Sequence, residues 1–143
     1  MDAVNYSAVL VAAIAAFVIG GLWYGPVFGK QWMALMGMTK ERMEADKSKG
    51  VAKSYILMFV GSVVMAFVLS LVVMAMTPYL AVAGTLGAAA GAKIGLWVWL
   101  GFVAPVTMGS VLWEMRPWKL WFLNTGYYAV TLAVMGAIIA AWV

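Results

Sequence analysis

Histidine and cysteine are both absent from the 143 residues of the chain. Without histidine, the protein lacks the commonest metal ligand and the usual general base near neutral pH. Without cysteine, it can form no disulfide, thiolate nucleophile, zinc–thiolate site or iron–sulfur site. The 12 methionines are more simply flexible apolar side chains than haem ligands. We therefore expect neither a metal nor a cofactor.

Charged residues are also scarce, at 10% of the chain. No two carboxylates are placed to act as a general acid and a general base, and there is no glycine-rich phosphate loop of the Walker type. Serines and threonines are scattered without a base to activate them. The sequence thus offers no catalytic constellation, and we expect that the protein is not an enzyme.

What the chain has in abundance is apolar residues, which make up 66% of it, against about 45–50% in soluble proteins. A soluble domain of this size could not bury so much apolar surface. Four runs are long enough to cross a bilayer, at about 4–24, 54–77, 92–113 and 118–142. The prediction is an all-α integral membrane protein, a single domain over 1–143, with four transmembrane helices in a bundle.

The segments between these runs have patterns of their own. In the connection 25–53, Phe28, Trp32, Leu35 and Met36 recur at helical spacing, which predicts a short helix lying in the membrane interface. Residues 39–50 mix charges of both signs and indicate a solvated turn or a short exposed helix. We expect Pro78 to end the second span. Residues 79–91 could form a loop, a re-entrant segment or an early start of the third helix. Within that third helix, the proline at 105 predicts a kink.

The basic residues predict the orientation of the bundle. Eight of the nine fall in the first and third connections, on one side of the membrane: Lys30, Lys40, Arg42, Lys47, Lys49, Lys53, Arg116 and Lys119. By the positive-inside rule, both connections face the cytoplasm and both termini lie outside it. The net charge of +4 thus reports orientation and not nucleic-acid binding. Lys93 on the outer side either snorkels to the interface or pairs with Asp2.

Polar residues gather on one face of the fourth helix. Asn124, Tyr127, Tyr128 and Thr131 share that face at helical spacing, so it should point into the bundle, where Thr107 and Ser110 are candidate partners. At the preceding turn, Glu114 is expected to pair with Arg116 or Lys119, or the basic groups to contact lipid phosphates.

Small residues recur at every fourth position in three rows. Such rows let helices approach closely, and packing within the chain is favoured over a dimer face, although a homodimer stays open. The rows are Ala8, Ala12, Ala16 and Gly20; Gly21, Gly25 and Gly29; and Ala129, Ala133, Ala137 and Ala141.

Two segments, LWYGPVFGKQW at 22–32 and LWEMRPWKLWFLNTGYYAVTLAVMGAIIAAW at 112–142, resemble a family of small bacterial membrane proteins catalogued as domain of unknown function 1761. Met115 departs from the pattern, where a small residue such as glycine is expected, which predicts a looser turn. The resemblance implies four helices, a place in the bacterial inner membrane and no assigned activity. Matching positions are Asn5, Trp23, Tyr24, Pro26, Phe28, Gly29, Lys30, Trp32, Trp113, Glu114, Arg116, Pro117, Trp118, Lys119, Asn124, Gly126, Tyr127 and Trp142.

The two segments also resemble each other. Leu-Trp precedes a proline and a lysine in both, so the bundle could consist of two related helical hairpins, or the likeness could be that of any two inner membrane boundaries.

Two functions fit these features about equally well. In the first, a small transport or channel-like protein acts as a homo-oligomer. In the second, a non-catalytic accessory or structural subunit docks into a larger membrane assembly. Expected partners are membrane lipid and either further copies or a membrane complex, with no nucleic acid. The candidate binding residues are Asn5, Trp23, Lys30, Trp32, Glu114, Arg116, Asn124, Tyr127, Tyr128 and Thr131.

Overall fold

A computed structural model describes residues 3–142, and within that range the chain is helical with no strand. Four helical segments are long and apolar enough to cross a membrane: Tyr6–Val27, Val51–Val82, Gly87–Leu112 and Trp118–Ala141. The prediction of an all-α bundle with four spanning helices is confirmed, and the chain is a multi-pass membrane protein.

The first span consists of α1 (Tyr6–Leu22) and a π-helical segment, Trp23–Val27. Asn5 caps α1, since its side-chain oxygen accepts a hydrogen bond from the Ala8 backbone N–H at 3.1 Å. At the other end, the Phe28 backbone N–H donates to the Trp23 carbonyl at 2.8 Å, five residues back, across a kink at Gly25, whose backbone angles are not helical.

Two short helices follow in the first connection. Helix α2 (Gly29–Met36) is the short helix predicted there, and it ends at Gly37 in the left-handed conformation that glycine tolerates. Helix α3 (Lys40–Ser48) begins at Thr39, whose hydroxyl accepts from the Arg42 N–H at 3.3 Å. Of the two alternatives for 39–50, the structure therefore has the short exposed helix.

The second span, α4 (Val51–Val82), corrects the expectation that it stops at Pro78. The helix continues through the proline for another turn. Proline removes the backbone donor that would bond to the Met74 carbonyl one turn back, a loss that membrane helices tolerate. The adjacent Thr77 hydroxyl donates to the Val73 carbonyl at 2.6 Å. The turn that follows is short, because the next helix begins at Gly87.

The third span starts earlier than the predicted residue 92 and is the most irregular. It comprises α5 (Gly87–Val98), a π-helical segment (Trp99–Val103), α6 (Ala104–Thr107) and α7 (Gly109–Leu112). Pro105 lies just beyond the π-helical segment, so the predicted irregularity is found at that proline. The Trp99 indole N–H ties the segment to the fourth span, since it donates to the Thr125 carbonyl at 2.8 Å.

The fourth span is α8 (Trp118–Ala141), and it contacts the other three. Its closest neighbour is α5. A Cβ atom added to Gly91 would overlap the Gly136 carbonyl, and one added to Gly95 would overlap the Leu132 carbonyl. We call this backbone-to-backbone approach the glycine contact. Around it, Val73, Leu80, Ile94, Met135 and Ile139 are buried in the main core.

The row Ala8, Ala12 and Ala16 is fully buried against α4 and α8. This agrees with packing inside the chain, the favoured interpretation of that row. Lys93 is exposed, and its ammonium donates to the Thr85 hydroxyl at 3.2 Å in the turn before α5. The alternative partner, Asp2, lies outside the described residues.

Candidate functional site

The two ends of the bundle differ, and the site lies at the end that carries the basic connections 28–50 and 113–117, here called the basic end. There the π-helical segment of the first span brings two aromatic side chains against α8. The Tyr24 hydroxyl donates to the Asn124 side-chain oxygen at 2.8 Å. The neighbouring Trp23 indole N–H donates to the Leu123 carbonyl at 3.1 Å.

Aromatic rings surround the Tyr24–Asn124 hydrogen bond. The Tyr24 ring centroid lies 5.9 Å from that of Trp32 and 5.3 Å from that of Tyr127, in edge-to-face arrangements. Tyr127 in turn lies 4.9 Å from Tyr128. These four rings, from the first span, α2 and α8, form what we call the aromatic cluster. The two edge-to-face contacts of Tyr24 are a favourable arrangement of aromatic quadrupoles.

Beside the cluster is a cavity of about 800 Å³, open at one side and called the cleft below. Its walls come from the first span, α4, the third span beyond Pro105, and α8. Its polar lining groups are Ser62, Thr107, Ser110, Glu114 and Asn124. Its aromatic lining groups are Phe17, Tyr24, Trp32, Tyr55, Trp121, Tyr127 and Tyr128. The volume lies within the roughly 300–1,000 Å³ of small-molecule sites.

The cleft exists because the third span leaves α4. Helix α4 packs against α5, near the glycine contact, whereas α6 and α7 make their contacts with α8. The change occurs across the π-helical segment and Pro105. Glycines add room on the opposite wall: Gly21 and Gly25 line the cleft, and a Cβ atom at either would meet no described atom within 4 Å.

Five of the ten candidate binding residues line this cleft: Trp32, Glu114, Asn124, Tyr127 and Tyr128. Glu114 is exposed, whereas Tyr127 is 5% exposed and its hydroxyl donates to the Ala16 carbonyl at 3.3 Å.

The other five lie elsewhere. Trp23 packs behind the cluster against Phe28 and Tyr127. Thr131 is fully buried one turn beyond Tyr127 and does not line the cleft. Lys30 and Arg116 are exposed and do not line the cleft. Asn5 is at the opposite end of the bundle, where its amide donates to the Trp142 carbonyl at 3.3 Å.

The expected partners of the polar face on α8 are corrected by the structure. Asn124 bonds to Tyr24 of the first span, and not to Thr107 or Ser110. Thr107 instead accepts from the Trp121 indole at 3.1 Å, and the Ser110 hydroxyl donates to the Thr107 carbonyl at 2.9 Å. Both groups still face the same cleft, because they lie on its third-span wall.

The turn after α7 differs from the expectations in two respects. Of the alternatives for its charges, the ion pair of Glu114 with Arg116 or Lys119 is not found in the described part of the chain, and contact of the basic groups with lipid phosphates stays a prediction. The turn is not looser for having a methionine, because Met115 adopts the left-handed conformation with φ of 59° that glycine would adopt. The Arg116 backbone N–H closes the turn by donating to the Ser110 carbonyl at 3.1 Å.

Several lining residues were not among the candidates, notably Phe17, Gly21, Tyr55 and Ser62. Phe17 and Tyr55 have no polar pattern around them in the sequence. For Gly21 the signal was present, since it belongs to a small-residue row, but the row indicated helix packing and not an open wall. The cleft thus combines a predicted polar face with walls that only the fold reveals.

The sequence profile of the family described as "Protein of unknown function (DUF1761)" matches residues 7–140, which include all or nearly all of each of the four spans. The chain belongs to this family. No curated protein and no solved structure matches the chain significantly. The two motifs that carried the resemblance meet in space. Tyr24 of the first motif bonds to Asn124 of the second and contacts Tyr127, while Trp32 of the first motif contacts Tyr24.

Proposed function

We propose that this protein transports a small solute across the bacterial inner membrane, acting without covalent catalysis and as a homo-oligomer. The observation that carries the proposal is the cleft, a cavity of about 800 Å³ that combines aromatic walls with a few polar groups and opens at one side. Concave sites of this composition are typical of small-molecule binding. Polar groups that are costly at membrane depth are here gathered around one cavity.

The proposed orientation puts the cleft on the cytoplasmic side. The basic residues lie at the same end as the cleft, which the positive-inside rule assigns to the cytoplasm, with both termini outside. The chain lacks cysteine, so single cysteines can be introduced at Thr39 and Thr85 without interference. A membrane-impermeant maleimide added to intact cells should label the Thr85→Cys variant and spare the Thr39→Cys variant; the reverse pattern would contradict the orientation.

Transport also requires access from the other side, which the glycine contact and the core around it close in this conformation. The third span is the natural place for a change, because a π-helical segment and Pro105 interrupt its hydrogen bonding. A four-helix chain encloses a pathway poorly by itself, and for that reason the proposal includes association of copies. Motion of α6 and α7 relative to α5 would then open and close the site.

The test is uptake into vesicles that contain the purified protein. The vesicles are incubated with a defined mixture of small amphipathic amines, carboxylic acids and neutral aromatics, and their contents are measured by mass spectrometry. We expect at least one component to enter faster than into protein-free vesicles. Asn124→Leu, which removes the acceptor for Tyr24 inside the cleft, and Glu114→Gln should each reduce that uptake about tenfold or more.

The matched control is Glu44→Gln. It removes the same charge from α3, at an exposed position that does not line the cleft, and it should transport like the unmodified protein. If no component of the mixture enters faster than into empty vesicles, the transport proposal is wrong. Uptake that is unchanged in both cleft variants would instead exclude the cleft as its route.

The closed half of the bundle favours the second candidate function, an accessory subunit of a larger membrane assembly. In that role, the cleft would hold a side chain or a lipid of the assembly, and the glycine contact would not have to open. Purification in mild detergent from the native cell distinguishes the two. A stoichiometric second protein would support the accessory role, and purely homomeric material would support the transporter.

A further inference from the structure

We propose that the cleft is selective for organic cations, with a quaternary ammonium or phosphonium centre or a protonated amine as the recognised group. This inference rests on the proposed function, since it names the substrate class of the same site. It is carried by the charge of the lining, by the number of aromatic rings in it, and by the hydrogen-bond donors that the fold has already used.

The first argument is charge. Glu114 is the one charged side chain lining the described cleft, and no lysine or arginine lines it. Since Glu114 forms no ion pair within residues 3–142, no described basic side chain holds its carboxylate. A carboxylate that lines a cavity with low-dielectric walls attracts cations and repels anions.

The second argument is the aromatic lining. Seven aromatic side chains face the cleft, and the interplanar angles of 76° for Tyr24–Trp32 and 63° for Tyr24–Tyr127 show that the rings do not stack. An edge-to-face contact covers at most one face of one ring, so ring faces stay available. Several aromatic faces around a cavity are the common means of recognising a quaternary ammonium group, through cation–π attraction.

The third argument is that many of the lining donors are already bonded within the fold. The hydroxyls of Tyr24 and Tyr127 donate to Asn124 and the Ala16 carbonyl. The Ser110 hydroxyl and the Trp121 indole likewise donate within the protein, as does the Ser62 hydroxyl, to the Met58 carbonyl at 3.0 Å. An anion needs several donors to replace its hydration, whereas a quaternary cation needs none. The donors that stay free in the described lining, on Trp32, Tyr55, Asn124 and Tyr128, are all neutral, so beside the Glu114 carboxylate the lining suits a cation better than an anion.

The test compares two ions of nearly identical size and shape but opposite charge, tetraphenylphosphonium and tetraphenylborate. Binding to the purified full-length protein in detergent is measured by equilibrium dialysis against protein-free micelles. We expect the phosphonium to bind at least about tenfold more tightly than the borate. Glu114→Gln should weaken phosphonium binding about tenfold, while Glu44→Gln should leave it unchanged.

A second variant tests the aromatic wall. Tyr128→Leu keeps the lining apolar but removes a π face, and it should weaken phosphonium binding several-fold with no loss of borate binding. Equal binding of the two ions by the unmodified protein would overturn the proposal without any variant. So would a Glu114→Gln protein that elutes as a folded species and binds the phosphonium with unchanged affinity.

A quaternary ammonium can come from a free solute or from a lipid headgroup, and competition distinguishes them. Displacement of the phosphonium by dihexanoylphosphatidylcholine, but not by dihexanoylphosphatidylglycerol, would assign the cation to a lipid headgroup. Displacement by neither lipid would assign it to a free solute.

The outcomes for substrate class and for transport are separable. Selective cation binding with no uptake into vesicles would overturn transport and keep the substrate class. Uptake of an acid or a neutral aromatic, with equal binding of the two ions, would keep transport and overturn the class.

Discussion

The two ends of the bundle use glycine in opposite ways. At the glycine contact, Gly91, Gly95 and Gly136 allow α5 and α8 to meet backbone to backbone, with no space for a Cβ atom. At the basic end, Gly21 and Gly25 face the cleft, and a Cβ atom there would meet nothing within 4 Å in the described chain. The same residue type therefore brings helices together at one end and leaves a space between them at the other.

The third span runs from the glycine contact to the cleft. Its first part, α5, follows α8 closely, and its second part lies across the cleft from α4. Between them lie the π-helical segment and Pro105, where the regular hydrogen-bond ladder is interrupted. The comparison predicts that added bulk should destabilise the fold at the closed end and impair function, with the fold intact, at the basic end.

The largest expected effect comes from breaking the closed end. Gly95→Ala adds one methyl group where a Cβ atom would overlap the Leu132 carbonyl, so the two helices must separate. Overpacking of this kind costs on the order of 3 kcal/mol. We expect the variant to lose much of its thermal stability in detergent, as followed by size-exclusion chromatography after heating.

The control for that change is Gly61→Ala on α4, where a Cβ atom would have no described neighbour within 4 Å. Because alanine is the better helix former by about 0.5–1 kcal/mol, this variant should be as stable as the parent or slightly more so. Equal stability of the Gly95→Ala and Gly61→Ala proteins would mean that the helices are not in backbone contact.

The next largest effect is on function and should leave the fold intact. Gly21→Phe places a large ring in the open space of the cleft, so we expect about a tenfold loss of solute uptake with little change in thermal stability. Gly61→Phe adds the same ring to an exposed position on α4 and serves as the control. A Gly21→Phe protein with full uptake would show that the cleft is not the route.

The span count and the polar face of α8 were predictable from sequence, because each rests on a local pattern. Twenty apolar residues identify a spanning helix whatever surrounds it, and the spacing of Asn124, Tyr127 and Tyr128 puts them on one face in any α-helix. The wrong helix end had a local cause as well. A proline normally ends a helix in a soluble protein. In a membrane there is no water to satisfy the backbone groups that an ended helix would expose, so the helix continues through Pro78.

The hydrogen-bond partners of the polar face on α8 could not be predicted, because they depend on how segments distant in sequence meet. Tyr24 and Asn124 are 100 residues apart, and only the kinked turn at Trp23–Val27 brings the tyrosine to α8. The row containing Gly21 was equally ambiguous. A small residue on a helix face is compatible with close packing or with an open wall, and the difference lies in the neighbouring helix.

A smaller effect is expected for the hydrogen bond that joins the two family motifs. The Tyr24–Asn124 bond can be measured with a double-mutant cycle of Tyr24→Phe and Asn124→Leu. Hydrogen bonds between membrane helices contribute about 0.6 kcal/mol on average and up to about 1.7 kcal/mol, and the 2.8 Å distance favours the upper part of that range. A coupling energy indistinguishable from zero would mean that the bond does not hold the first span against α8.

The smallest effect concerns the turn that closes the basic end, and here we expect a gain. Met115 has a φ of 59°, which costs a side-chain-bearing residue about 1–2 kcal/mol. Met115→Gly relieves that strain but adds the chain entropy of glycine, worth about 0.5–1 kcal/mol, so the net stabilisation should be roughly 0.5–1 kcal/mol. The Met115 side chain is 87% exposed and contributes little packing that could be lost.

Thermal unfolding in detergent measures the change, with Met115→Ala as the control that removes the same side chain without relieving the backbone strain. If glycine and alanine had the same effect, the strain at this turn would be absent and the left-handed geometry of Met115 would be wrong.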